Sequence, residues 1–245
     1  MRAFIIAVQF LTRISLAPQM KVSDEEVGNS MRYFPLVGLG MGVGLAAARL
    51  VLAAALPGSL VDGMIIALLA ALSGAIHLDG LADTADGIAG GKDREGRLRI
   101  MKEPHIGAIG AVWVILVIML KYGALLALSG RLKYQALLLV PMIGRWAQML
   151  VTYRSEYAGL SRGIGFTFTR QLTMPVVLCN SLLVGACAYY LFSIKGALIA
   201  LVILAACRAY AAYFRRALGG ITGDVLGAAT ELAETAALIL LVVRF

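Results

Sequence analysis

Charge is scarce in this chain. Only 15% of its 245 residues are Asp, Glu, Lys or Arg, against about 25% in soluble proteins. Cysteine is scarcer still. Cys179, Cys187 and Cys207 lie inside apolar segments, with no CxxC pair and no neighbouring histidine. They read as small core residues and say little about redox compartment. No cysteine or serine constellation points to a covalent intermediate. Met1 to Leu11 carries one arginine and a short apolar stretch but no small-residue cleavage site, so it does not read as a signal peptide.

Apolar sequence fills the rest: 60% of the residues are hydrophobic and the mean hydropathy is +0.86. This composition describes an integral membrane protein, one domain over residues 1–245. The net charge of +8 lies in short loops between apolar runs. That is the pattern of membrane topology and not of nucleic-acid binding. The fold expected is an all-α polytopic bundle of about seven spanning helices, at 36–56, 60–78, 106–128, 135–153, 174–192, 196–214 and 224–243. Arg145, Glu231 and Glu234 make the fourth and seventh runs weaker. Residues 1–12 are too short to span and suit an interfacial helix with Phe4, Ile5, Val8 and Leu11 on its apolar side. Ser23 and Glu26 have the spacing of a capping box. Gly40 and Gly44 form a GxxxG, read as helix packing.

Alternate loops on the N-terminal side carry fourteen Lys or Arg, Arg162 among them; the opposite loops carry five, namely Lys121, Arg131, Lys133, Lys195 and Arg244. The bias places the N-terminus and the loop 79–105 in the cytoplasm, and an odd number of spans would leave the C-terminus outside.

The chemistry concentrates in His77-Leu78-Asp79-Gly80-Leu81-Ala82-Asp83-Thr84-Ala85-Asp86-Gly87. On a helix Asp79, Asp83 and Asp86 fall within an arc of roughly 60°. Three carboxylates on one stripe repel unless a cation lies between them, and an all-oxygen cluster suits Mg²⁺ or Mn²⁺. A solvated helix face is the plain alternative. Gly90-Gly91 ends the element. Beyond it, Lys92, Arg94 and Lys102 are candidates for neutralising a polyphosphate, whereas Arg97 and Arg99 read equally well as topology signals. His77 would point away from the stripe on a continuous helix and is not assigned as a ligand.

A second acidic block, Asp224, Glu231 and Glu234, shares one broad helical face behind Gly219-Gly220-Ile221-Thr222-Gly223. Acids in a spanning helix face a cavity or a partner. Asp224 would start its helix level with the first cluster, where backbone N–H groups suit a phosphate. Arg145, mid-run, must meet an anion: either a substrate phosphate or an acid. Pairing of Glu231 and Glu234 with Arg145 or Arg208 is the structural alternative.

HLDGLADTADG, the basic loop with MKEPHIGAIGA, RYFPLVGLGMG, PMIGRW and GGITGDVLGAATELAE together resemble the cobalamin synthase family, the adenosylcobinamide-GDP ribazoletransferases, in order and over nearly the whole chain. The resemblance implies a Mg²⁺-dependent enzyme of the bacterial inner membrane, with its site facing the cytoplasm. It would join adenosylcobinamide-GDP to α-ribazole or its 5′-phosphate and release GMP. It implies metal ligation by Asp79, Asp83 and Asp86, with Asp224 and Glu231 completing the site. Asp224 is a candidate for a further ligand and, with Glu231 and Lys102, for contact with substrate. Asp86, Arg145, Lys92 and Arg94 are the catalytic candidates, Asp86 as the base. The partners implied are these substrates and the lipid bilayer, without nucleic acid, and a homo-oligomer stays open.

A CDP-alcohol phosphotransferase also uses an aspartate-rich membrane helix, but its DGxxAR start is not met: Asp79-Gly80 is followed by Leu81-Ala82-Asp83-Thr84. An aromatic prenyltransferase would likewise use aspartate motifs around Mg²⁺-diphosphate. A cation transporter would spread its acids through the membrane depth, whereas most here gather at one face.

Overall fold

Apolar runs joined by glycine-rich and charged links form helices wherever the links permit. The computed structural model describes residues 1–159 and 164–243; Arg162 and Arg244 lie outside the described residues. The order is α1 (Arg2–Leu11), α2 (Asp24–Ser30), a 3-10 turn (Met31–Tyr33), α3 (Phe34–Leu52), α4 (Gly58–Leu72), α5 (Ile76–Gly90), α6 (Arg94–Ile100), α7 (Ala108–Ala127), α8 (Arg131–Thr152), α9 (Ile164–Gln171), α10 (Met174–Leu218) and α11 (Gly223–Val242). Among the described residues the only extended pairing is an isolated bridge between Tyr157 and Ile221. The chain is an all-α bundle, as the composition predicts.

Each expected run lies on a helix, but seven spans are not reproduced. Four helices among the described residues are long and apolar enough to cross a membrane: Asp24–Leu52, α7, α10 and α11. The pair α4–α5 makes a fifth if it counts as one span. Three local causes account for the difference. The run 60–78 breaks at Gly74 and Ala75, both left-handed at φ +65° and +59°, and α5 leaves α4 at 84°. The runs 174–192 and 196–214 are two arms of α10, whose backbone leaves helical geometry at Phe192 and Ser193. In α8, Arg145 and Gln148 lower the hydropathy of the middle.

α8 tolerates those polar groups because protein, not lipid, surrounds it. Every residue from Leu139 to Thr152 is buried, against α3, α10 and α11. Gly38 and Gly42 let α3 reach it: a Cβ on either would lie 2.4 Å from a backbone oxygen of Pro141 or Leu137. Gly40 and Gly44, the expected packing pair, face open space instead. They are two residues along, on the other side of the helix. α7 is the opposite of α8. Ile109, Val112, Ile115, Leu116 and Met119 are exposed, the apolar outer face a bilayer would cover.

The N-terminal segments close one end. The Ser23–Glu26 capping box forms in both directions. α1 buries Ile6, Ala7 and Leu11, a face shifted from the expected Phe4–Ile5–Val8–Leu11 set. The shift follows the aromatic partners: Phe10 lies 5.7 Å from Phe34 and 5.1 Å from Phe168, ring centre to ring centre.

Candidate active site

The left-handed pair Gly74–Ala75 ends α4 and aims α5, so the aspartate motif starts a helix of its own. Gly80 then sets how close α5 comes to α11. A Cβ there would lie 2.7 Å from the Asp224 carbonyl oxygen, so only glycine allows this approach. The two acidic blocks, far apart in the chain, meet side by side. Gly80 packs on the first turn of α11, and Asp83 and Asp86, about one and two turns further along, stand beyond that helix's end.

A cavity of about 320 Å³ opens here. Its wall includes Asp79, Asp224, Lys102, His77, Gln148 and Tyr157. Lys102 Nζ lies 3.3 Å from Asp224 Oδ2. Thr222 caps α11 by accepting from the Val225 N–H, and its Oγ1 lies 3.4 Å from the same Asp224 oxygen. Asp83 is half-buried, and its carboxyl is pushed up to about 6, first by burial and then by the charges of Asp79 and Asp224; Lys102 opposes this and Asp86 adds to it. A carboxylate under such like-charge pressure favours a cation nearby. Among the described residues no group of three or more His, Cys, Asp or Glu side chains forms a ready metal cage.

Asp86 is differently employed. Its Oδ2 accepts from the Gly107 N–H at 2.7 Å and its Oδ1 from the Gly110 N–H at 2.8 Å. It caps the first turn of α7, satisfying donors that a helix start leaves unpaired. Lys92 and Arg94 are exposed and stand away from the cavity. Lys92 borders a separate surface groove with Gly90 and Arg99, and Arg94 lies over Gly219. Arg97 is structural, donating to the Gly91 and Ala217 carbonyls.

Arg145 and Glu231 also depart from the expected site. Arg145 Nη1 donates to Glu234, each 1% exposed. Lys121 Nζ donates to Glu231 at 2.6 Å and to Glu234 at 2.5 Å. Two cations and two acids thus close a buried network joining α7, α8 and α11. Glu231 lines a different cavity, of about 350 Å³, with Lys121, Leu78 and Ile118. The structural alternative holds for Arg145 but not for Arg208, which donates to the Leu150 and Tyr153 carbonyls. Lys121 and Lys133, counted above as loop charges, are buried. Lys133 pairs with Asp62, which also accepts from Arg49 at 3.1 Å. Asp62 was legible as a lone acid in an apolar run.

His77, set aside above as a ligand, and Gln148, not singled out in the sequence, both line this cavity. His77 shares the cavity with Asp79 because α5 begins at Ile76, and α8 and α11 enclose its first turn. The signal for Gln148 was its place one turn after Arg145 in an apolar run.

A family model described as cobalamin-5-phosphate synthase matches residues 3–242. The chain is similar to an adenosylcobinamide-GDP ribazoletransferase of Geotalea daltonii, 39% identical over 99% of this chain and 97% of the relative. It is similar to one of Syntrophobacter fumaroxidans, 40% identical over 93% of each chain, and to one of Pseudomonas aeruginosa, 38% identical over 98% of each. No solved structure matches it.

Proposed function

Because this chain belongs to the cobalamin-5-phosphate synthase family, we propose that it transfers the adenosylcobinamide phosphoryl group from adenosylcobinamide-GDP to α-ribazole or its 5′-phosphate, releasing GMP. The observation that carries the reading is the cavity bordered by Asp79, Asp224 and Lys102, with Asp83 held in the field of both acids. An oxygen-rich, like-charged rim at the end of a helical bundle suits a diphosphate with a divalent cation.

One or two of the carboxylates of Asp79, Asp83 and Asp224 would hold Mg²⁺ together with phosphate oxygens and water. When bound, the ion would supply Lewis-acid stabilisation of the charge developing on the leaving group. A ribose hydroxyl of the acceptor attacks the phosphorus on the cobinamide side. The new P–O bond forms as the bond to the bridging oxygen breaks; GMP departs with that oxygen, and the hydroxyl proton passes to a carboxylate of the cluster. Lys102, beside Asp224 at the cavity, would neutralise charge on a phosphate oxygen. The two bonds accepted by Asp86 favour anchoring α7 over proton transfer, and the buried pairing of Arg145 and Glu231 favours holding helices over binding substrate. The excess of Lys and Arg in the loops on the N-terminal side supports a site facing the cytoplasm.

The test is GMP release by purified protein in detergent or lipid, given adenosylcobinamide-GDP, α-ribazole and Mg²⁺, with EDTA and Asp83→Ala as controls. Corrinoid-dependent release lost in both controls is the expected result. No release from folded wild type refutes the transfer reaction.

A further inference from the structure

A chain of hydrogen bonds fixes the protons around His77. Thr230 Oγ1 lies 3.0 Å from the Leu226 carbonyl oxygen. A carbonyl only accepts, so in this arrangement the Thr230 hydroxyl donates to it. The Gln148 side-chain nitrogen lies 2.6 Å from Thr230 Oγ1 and donates to it. The same nitrogen lies 2.9 Å from His77 Nε2, so its second N–H donates to the ring. Nε2 therefore carries a lone pair, and the neutral ring holds its proton on Nδ1. A cationic ring would oppose two donors.

That Nδ1 is buried and has no partner in the protein. An unpaired buried donor is costly and calls for an explanation. His77 is 3% exposed and forms part of the cavity wall. Around it the wall is aromatic and apolar, with Phe10, Phe168, Tyr157 and Leu226, while Asp79, Asp224 and Lys102 supply the polar side. At about 320 Å³ the space suits one nucleoside and is far too small for a macrocycle.

We propose that this cavity receives the aromatic acceptor nucleoside, and that His77 donates from Nδ1 to the unsubstituted ring nitrogen of its base. The base lies among the aromatic walls and the ribose faces the carboxylates. This rests on the transferase reading above. It makes His77 a specificity-determining residue, set in its tautomer by Gln148 and Thr230.

The test compares α-ribazole with the matching indole riboside, in which C–H replaces the ring nitrogen, in the GMP-release assay. Wild type is expected to show KM on the order of tenfold higher for the indole acceptor, with kcat little changed. His77→Phe should bring that ratio close to one by raising KM for α-ribazole alone. His77→Gln, which restores a side-chain N–H, should recover part of the ratio. A wild type indifferent to the nitrogen, or a folded His77→Phe that keeps the full ratio, overturns the proposal. The wild-type comparison reads the hydrogen bond without any variant. Absence of GMP release with α-ribazole refutes the transfer reaction itself, a different outcome from release without discrimination.

Discussion

Lys121→Met tests the buried network most directly. Lys121, Arg145, Glu231 and Glu234 carry two positive and two negative charges, and none is more than 6% exposed. At the 2.6 Å separation of Lys121 and Glu231, a unit pair attracts by roughly 6–7 kcal/mol at an effective dielectric constant near 20, most of it offset by desolvation. Removing the lysine leaves two acids facing one arginine and is expected to destabilise by about 3–5 kcal/mol. Glu231→Gln leaves the opposite excess and a similar loss. The double variant is neutral again and keeps the Arg145–Glu234 pair, so it should lose less than the sum of the singles by about 2–3 kcal/mol. Reversible unfolding in mixed micelles titrated with SDS measures all four proteins. Strict additivity, or a Lys121→Met loss under about 1 kcal/mol, refutes the network. The same proteins separate the two roles open to Glu231. As an ion-pair partner, its Gln variant keeps GMP release per folded molecule within a few fold. As a substrate contact, it loses activity at unchanged stability.

Asp86→Asn removes an acceptor oxygen from the α7 cap. It is expected to cost about 1–2 kcal/mol of stability and to change turnover per folded molecule only a few fold, where loss of a general base costs about 10²–10⁴. Asp83 sets a pH dependence. Its carboxyl is raised from 3.8 to about 6, so the metal-free protein gains stability from it below pH 4 and loses that gain as pH rises through about 6. Mg²⁺ has the opposite sign, because it binds the deprotonated form. The melting-temperature increase caused by Mg²⁺ should grow between pH 5 and pH 7.5 and level off above, and Asp83→Asn should flatten that curve.

The helical bundle was legible because each of its signals is local. The Ser23–Glu26 box and the Gly90–Gly91 stop each act within a few residues, and each appears where the sequence puts it. The aspartate stripe is local too, since helical spacing alone aligns Asp79 with Asp83 and Asp86. The meeting of Asp79 with Asp224 was foreseen in level but not in contact. It depends on Gly80 lying against the α11 backbone, and nothing in the spacing of either block encodes that approach.

Tertiary packing settled the rest, because charge pairing and burial belong to helices that meet across the bundle and not to neighbours in the chain. Lys121 and Lys133 look like loop charges until their helices bring Glu231, Glu234 and Asp62 against them. Arg145 has one acid within reach of its fork, and the register of α8 on α11 chose Glu234. A polar residue inside an apolar run announces that it must have a partner, but which partner depends on helix register and crossing. The same limit applies to His77: its position was plain in the sequence, while its proton follows from Gln148 and Thr230 on two other helices.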